Sequence, residues 1–216
     1  MLLKKKRAPL LVVISGPTGS GKTTISRALV ETSKHCLFSV SHTTRCKRPG
    51  EKNGKDYYFV SKDTFQKMVK NREFLEYAKV HKNYYGTHKK EWKKAKEKGS
   101  DLILDIDVKG GSQVKKAFKD AILIFVLPPS FKDLLIRLKK RAGEKDFNLN
   151  IRLKTALKEL DFAKNYYYNI INEEVDSVVD EVKKIVAVSR YRSSFLNEFR
   201  EGFKKDIERF LRERNV

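Results

Sequence analysis

The run Gly16-Pro17-Thr18-Gly19-Ser20-Gly21-Lys22-Thr23 fits the spacing G-x-x-x-x-G-K-[ST] and directly follows the apolar stretch Leu10-Leu11-Val12-Val13-Ile14. This is the spacing of a loop that cradles phosphates. Its glycines let the backbone curl until successive N–H groups face phosphate oxygens. Lys22 brings a mobile cation to the β- and γ-phosphates, and the Thr23 hydroxyl is a hard oxygen for Mg²⁺. A helix starting near Lys22 places its positive dipole end behind the same phosphates. The chemistry implied is the binding of a nucleoside triphosphate.

A second candidate is Asp105, which closes the apolar run Leu102-Ile103-Leu104, with Asp107 two residues on. The carboxyl end of a central strand is where open α/β sheets bind ligands. An acid there can order Mg²⁺ or its waters beside a phosphate loop. Arginines form a third group. Arg45 and Arg48 lie in a turn-rich segment near Tyr57 and Tyr58, while Arg137 and Arg141 share a helix face, with Arg152 further on. Guanidinium groups on both sides of a phosphate loop suit phosphoryl transfer, which depends on positioning and charge stabilisation. No Ser-His-Asp or Cys-His set stands out. A phosphate acceptor needs none, because its second pKa of about 6 leaves it ionised near neutrality.

These residues need a scaffold, and the pattern supplies one. Leu10 to Ser15 reads as a buried parallel strand, and the helix after the loop ends near Thr32. Leu37 to Ser41 reads as a short strand. Thr43 to Asp56 carries Pro49, Gly50, Asn53 and Gly54 and reads as loop. A strand over Tyr57–Val60 precedes a helix over Ser61–Asn71 with Ser61 as its cap. Phe74 to Tyr85 forms one or two strands, and His88 to Lys98 a polar helix ending at Gly99. Core strands return at Asp101–Asp107 and Ala121–Leu127, each followed by helical spacing. Helices over Phe131–Arg141 and Asn150–Lys164 flank the polar segment Ala142–Leu149. A last strand covers Asn169–Asn172, and amphipathic helix runs from Val175 to the end. The fold expected is α/β, with a parallel sheet and a β-rich insert.

Composition bounds the possibilities. The 216 residues are 40% hydrophobic, enough for one core, and no run approaches the roughly 20 apolar residues that span a bilayer. Lys4-Lys5-Lys6-Arg7 before the first apolar run imitates a secretion signal, but no small-residue cleavage site follows. Cys36 and Cys46 form no CxxC pair and show no metal spacing with His35, His42, His81 or His88. Both read as reduced thiols of a cytoplasmic protein. The formal net charge is +21. The lysines are spread along the chain rather than gathered in one arm, so they read as a solvated surface around a site for anionic nucleotides. No specific nucleic acid and no membrane partner are expected.

The stretch Ser39-Val40-Ser41-His42-Thr43-Thr44-Arg45-Cys46-Lys47-Arg48-Pro49-Gly50-Glu51 through Tyr57-Tyr58-Phe59-Val60 closely resembles the signature of the guanylate kinase family. So do Glu76, Tyr84-Tyr85-Gly86 and Leu104-Asp105-Ile106-Asp107, and the likeness runs in order from about Leu10 to about Val188. The resemblance implies ATP and GMP giving ADP and GDP, with dGMP as a further acceptor and Mg²⁺ as cofactor. It implies a three-layer core formed by residues 1–38, 100–136 and 166–216, a GMP-binding insert over 39–99, and a helical lid over 137–165. The ATP site would comprise Gly16, Pro17, Thr18, Gly19, Ser20, Gly21, Lys22, Thr23 and Thr24, with Asn172 near the adenine. Arg45, Arg48, Tyr57 and Tyr85, with Glu51, would grip the GMP phosphate. Ser41, Glu76, Thr87 and Asp107 would surround the guanine. Lys22, Arg45, Arg137, Arg141 and Arg152 would be catalytic, and Thr23 and Asp105 would hold the metal, partly through water. Thr87 stands where a serine is usual and keeps the hydroxyl. Glu76 makes chemical sense, because one carboxylate can accept from both N1–H and the 2-amino group of guanine, while adenine has no N1–H.

Two other classes compete: a non-catalytic, guanylate-kinase-like module that holds a phosphopeptide, and a basic nucleic-acid-binding protein. Lys22 and Thr23 argue against the first, which has no use for ATP, and scattered lysines against the second. The sequence leaves the oligomeric state open between monomer and homodimer.

Overall fold

The structure, a computed structural model, describes residues 8–80, 82–140, 149–192, 194 and 197–214, with Glu198 and Arg214 described by backbone alone. Its centre is a five-stranded parallel sheet. The strands are β1 (Leu11–Ser15), β2 (Cys36–Phe38), β7 (Asp101–Asp105), β8 (Ile122–Leu127) and β9 (Tyr168–Ile171), in the order β2-β7-β1-β8-β9. Both faces of this sheet are covered, which is why β1 and β8 read as unbroken apolar runs rather than alternating ones. Helices α1 (Lys22–Glu31) and α7 (Val175–Ser189) cover one face, burying Ile25, Leu29, Val178 and Val182 against Val12, Ile14 and Ile124. Helices α3 (Lys89–Glu97) and α4 (Val108–Ala117) cover the other, with Ala95, Val108 and Val114 against Val13, Leu104 and Phe125. The expected three-layer core is therefore present. Helices α5 (Phe131–Lys140) and α6 (Leu149–Leu160) pack together through Leu134, Leu138, Leu149, Leu153 and Ala156.

A second sheet of four strands, in the order β4-β3-β6-β5, is built from β3 (His42–Thr43), β4 (Tyr58–Phe59), β5 (Phe74–Val80) and β6 (Asn83–His88). With it lies α2 (Lys62–Lys70), capped as expected by Ser61, whose hydroxyl accepts from the Thr64 amide. Phe65 of α2 is fully buried and stacks on Phe74 and Tyr84. The insert expected over 39–99 thus holds a β-rich unit with its own aromatic core. Its final helix, α3, instead packs Trp92 and Ala95 against the central sheet.

Two sequence expectations change. The strand expected over 37–41 ends at Phe38 as β2, and β3 of the other sheet begins only at His42. Ser39 still donates to Ile103 of β7, and the chain then crosses to pair His42 with Gly86. The stretch from Val175 is also two helices. Of these, α7 packs on α1, whereas α8 (Asn197–Arg214) leaves Phe199, Phe203, Ile207 and Phe210 exposed. No helix of the described residues is long and apolar enough to cross a membrane.

Candidate active site

The phosphate loop joins β1 to α1 at the carboxyl edge of the central sheet, where the sequence placed it. The loop needs glycine for two separate reasons. Gly21 caps α1 with φ +94°, and a Cβ there would lie 2.2 Å from the Asn172 side-chain nitrogen. Gly19, at φ +92°, lies directly under Leu134 and Leu138 of α5. A side chain at either position would be strained by its backbone and crowded by its neighbours.

The loop is braced from behind. Asn172, buried just after β9, donates its amide to the Ser20 carbonyl at 2.7 Å. Arg137 of α5 donates to the same carbonyl at 3.1 Å and to the Asn172 carbonyl at 3.4 Å. Asn172, expected near the adenine, and Arg137, expected as a catalytic lid arginine, are thus both engaged with the loop backbone. From the opposite side, Glu159 of α6 accepts from the Thr18 amide at 3.0 Å.

In front of the loop lies a cleft of about 380 Å³ between the two sheets. It is lined by Thr18, Lys22, Thr23, Ser41, Arg45, Arg48, Glu51, Tyr57, Glu76, Tyr85, Asp105 and Asp107, all of them expected site residues. Residues from both sheets thus face one volume. Thr23 donates to Asp105 at 2.5 Å, joining the first turn of α1 to the end of β7. Asp107 caps α4 through the Gly110 amide, at 2.8 Å, and also faces the cleft. The cap reading and the site reading of Asp107 therefore coexist.

Across the cleft, Arg45 bonds both oxygens of Glu51, and Glu51 also accepts from the Arg48 amide at 2.8 Å. The Arg45 guanidinium holds Glu51 below the usual carboxylate range. Arg45 lies over the Tyr57 ring at 4.9 Å, and the Tyr57 and Tyr85 rings are 6.0 Å apart. Two cations and two phenols are thereby gathered on one wall. Desolvation pushes the Tyr57 phenol up, so it remains a hydrogen-bond donor at neutral pH.

Glu76 of β5 is 3% exposed and accepts from the Thr87 amide at 2.9 Å. Burial raises its pKa to about 7, and the nearby Asp107 pushes in the same direction. Gly110 makes the space for it, since a Cβ there would lie 2.3 Å from a Glu76 oxygen. Gly110→Ala is therefore expected to displace the carboxylate. Alanine should help the helix by about 0.5–1 kcal/mol, so the protein stays folded. On the expectation that Glu76 reads the guanine, KM for GMP should rise by roughly tenfold, the order expected for one lost hydrogen bond to a charged group, with KM for ATP unchanged in steady-state kinetics. Unchanged GMP KM would show that Glu76 is not the contact being displaced.

The remaining expected residues lie elsewhere. Thr24 is exposed on α1, Thr87 is fully buried beside Glu76, and Arg152 lies on α6 outside the cleft lining. Arg141 and the segment 142–148 lie outside the described residues. The sequence reading missed Glu159, and it missed Arg27 of α1, which pairs with Asp56 of the insert at 2.7 Å. All three line the cleft. Carboxylates and arginines on polar helical or turn segments carry no local signal for such pairings.

A profile described as Guanylate kinase matches residues 8–189. The chain belongs to the guanylate kinase family. It is 43% identical to a guanylate kinase of Caldanaerobacter subterraneus subsp. tengcongensis over 187 residues, covering 87% of this chain and 91% of that one. It is 44% identical to one from Clostridium tetani over 183 residues, covering 85% and 88%. The crystal structure of guanylate kinase from Anaplasma phagocytophilum superposes with a TM-score of 0.71 at 32% identity, covering 86% of this chain and 88% of that one. The family match ends at residue 189, so α8 lies beyond it.

Proposed function

We infer that this chain transfers the γ-phosphate of ATP to GMP, giving ADP and GDP. The observation that carries the reading is a single cleft lined by both the phosphate-loop Lys22 and the buried Glu76. In this reading one end takes the donor phosphates, and the buried carboxylate at the other accepts from guanine. A phosphopeptide module would use neither Lys22 nor a guanine reader.

In this proposal, residues 39–99 form the GMP-binding insert and 137–165 the lid. The loop amides and Lys22 receive the ATP phosphates. Arg45, Arg48, Tyr57 and Tyr85 hold the GMP phosphate, and Glu51 fixes the aim of Arg45. Glu76 accepts from the guanine N1–H and 2-amino group, with Ser41, Asp107 and Thr87 around the base. The GMP phosphate, already ionised, attacks in line without a general base. Arg137, Arg141 and Arg152 serve the transferring phosphoryl group, with Arg137 acting through the loop that it braces.

Mg²⁺ fits the residues present. Thr23 and Asp105 offer two hard oxygens side by side at the loop, and an ion with few protein ligands keeps its waters and phosphate contacts. When bound, the ion would neutralise charge on the donor phosphates. Cys36 and Cys46, neither of them in a disulfide, suit a reducing cytoplasm.

The test is a coupled assay of ADP release with GMP, AMP, CMP and UMP in turn. Turnover is expected with GMP and lost in excess chelator. Equal rates with AMP, or full activity in chelator, would overturn the base assignment or the metal assignment respectively.

A further inference from the structure

We propose that Glu159 is a positioning residue, a length-critical strut that sets the aim of Arg152 at the phosphate loop. The inference rests on the reading above that Arg152 serves the transferring phosphoryl group. Three observations carry it.

First, Glu159 is a buried carboxylate on a helix that belongs to neither sheet, and its bond to the Thr18 amide at 3.0 Å ties α6 to the loop. Thr18 and Glu159 are 141 residues apart in the chain. Second, Glu159 and Arg152 are seven residues apart on α6. Seven residues are about two helical turns, so both side chains leave the same face about 10 Å apart along the axis. Third, the two helices meet the loop differently. Helix α5 presses Leu134 and Leu138 on Gly19 and donates from Arg137 to Ser20. Helix α6 instead packs on α5 through an apolar stripe formed by Leu149, Leu153 and Ala156. Such a stripe tolerates sliding and rolling by fractions of an ångström. The Glu159 bond removes that freedom at one end of α6. Arg152 lies two turns away on the same helix, so a shift of α6 at Glu159 carries Arg152 with it.

A different role for Glu159 is purely electrostatic. Burial raises its pKa, while Lys22 opposes the rise, so the carboxylate and the ammonium feel each other. The two roles make opposite demands. A strut needs the length and an acceptor oxygen but not the charge. An electrostatic partner of Lys22 needs the charge but not the length.

Glu159→Gln keeps the length and an oxygen that accepts from Thr18. Glu159→Asp keeps the charge but falls one methylene short. The strut predicts that E159Q retains kcat within about fivefold, whereas E159D and E159A lose roughly 10- to 100-fold, as misplacement of a positioned group by about 1 Å does. GMP KM should stay within about twofold for all three variants, which also reports that the insert is folded. R152A should be impaired by itself, and E159D/R152A should be no slower than R152A alone, since a strut without its load has nothing left to lose.

Four results would overturn the proposal: E159D at wild-type kcat; E159Q as slow as E159A; losses that multiply in the double variant; or GMP KM rising in step with the fall in kcat. If R152A itself runs at wild-type kcat, the assignment of Arg152 falls and the strut falls with it. If R152A is impaired while E159D is not, only the strut falls.

Discussion

Lys22→Ala is expected to lower kcat by at least ~10²–10³-fold, the scale on which one preorganised contact to developing charge operates, while GMP affinity stays near that of the parent. The separation follows from the geometry. Lys22 stands at the first residue of α1, on the donor side of the cleft, whereas Arg45, Arg48, Tyr57 and Tyr85 belong to the insert. Removing the ammonium leaves the main braces of the loop in place, because Asn172, Arg137 and Glu159 hold its backbone at 2.7, 3.1 and 3.0 Å, whereas Lys22 reaches only the Pro17 carbonyl, at 3.5 Å. Single-turnover transfer and calorimetric GMP binding, measured on one preparation, would check both halves. Near-normal turnover would remove the phosphate loop from the mechanism.

Glu76→Gln should cost GMP kcat/KM roughly 10- to 150-fold, the loss expected for a hydrogen bond to a charged group worth about 1.5–3 kcal/mol. A neutral amide cannot accept from both guanine donors, so one meets an NH₂ group or goes unpaired. The phosphate grip survives, so discrimination against AMP should narrow. The pH profile sharpens the test. Glu76 reads guanine only when ionised, and burial has raised its pKa to about 7. GMP kcat/KM should therefore rise between about pH 6 and pH 8 and then level off. The Gln variant should lose that part of the rise and keep only the ionisation of the GMP phosphate itself. For stability the sign is opposite. The folded state keeps a proton that the unfolded chain releases near the ordinary carboxylate value of 4.5, so Glu76 costs stability as pH rises from there to about 7. An unchanged base preference in the variant would place the guanine reader elsewhere.

Much of this site was legible in the residues. The loop could be read because its chemistry and its spacing lie in one short stretch, and Asp105 because a strand end announces itself after an apolar run. Ser61 as a helix cap and the strand over Ala121–Leu127 were legible for the same local reason. What stayed hidden depends on partners distant in sequence. No periodicity distinguishes one strand over 37–41 from two short strands that pair with β7 and β6. Asn172 was read as lying near the adenine and Arg137 as a catalytic lid arginine; both also hydrogen-bond to Ser20, and nothing local to either residue encodes that. Glu159 is one of two acids in the last three residues of Lys158–Asp161 and its immediate surroundings carry no cue; only burial and the Thr18 amide set it apart.

The order of the central sheet has a consequence during synthesis. Leu11 of β1 pairs with Leu102, and Val12 pairs with Ile122. Strand β1 leaves the ribosome before both, so it has no sheet neighbour until β7 emerges, and only one until β8 follows. Contacts so distant along the chain form late and slowly. Until then an apolar strand with two open edges is exposed, the kind of surface that aggregates or engages a chaperone. The loop that marks this chain most clearly in its sequence is thus made well before the two strands that flank β1 and complete its setting.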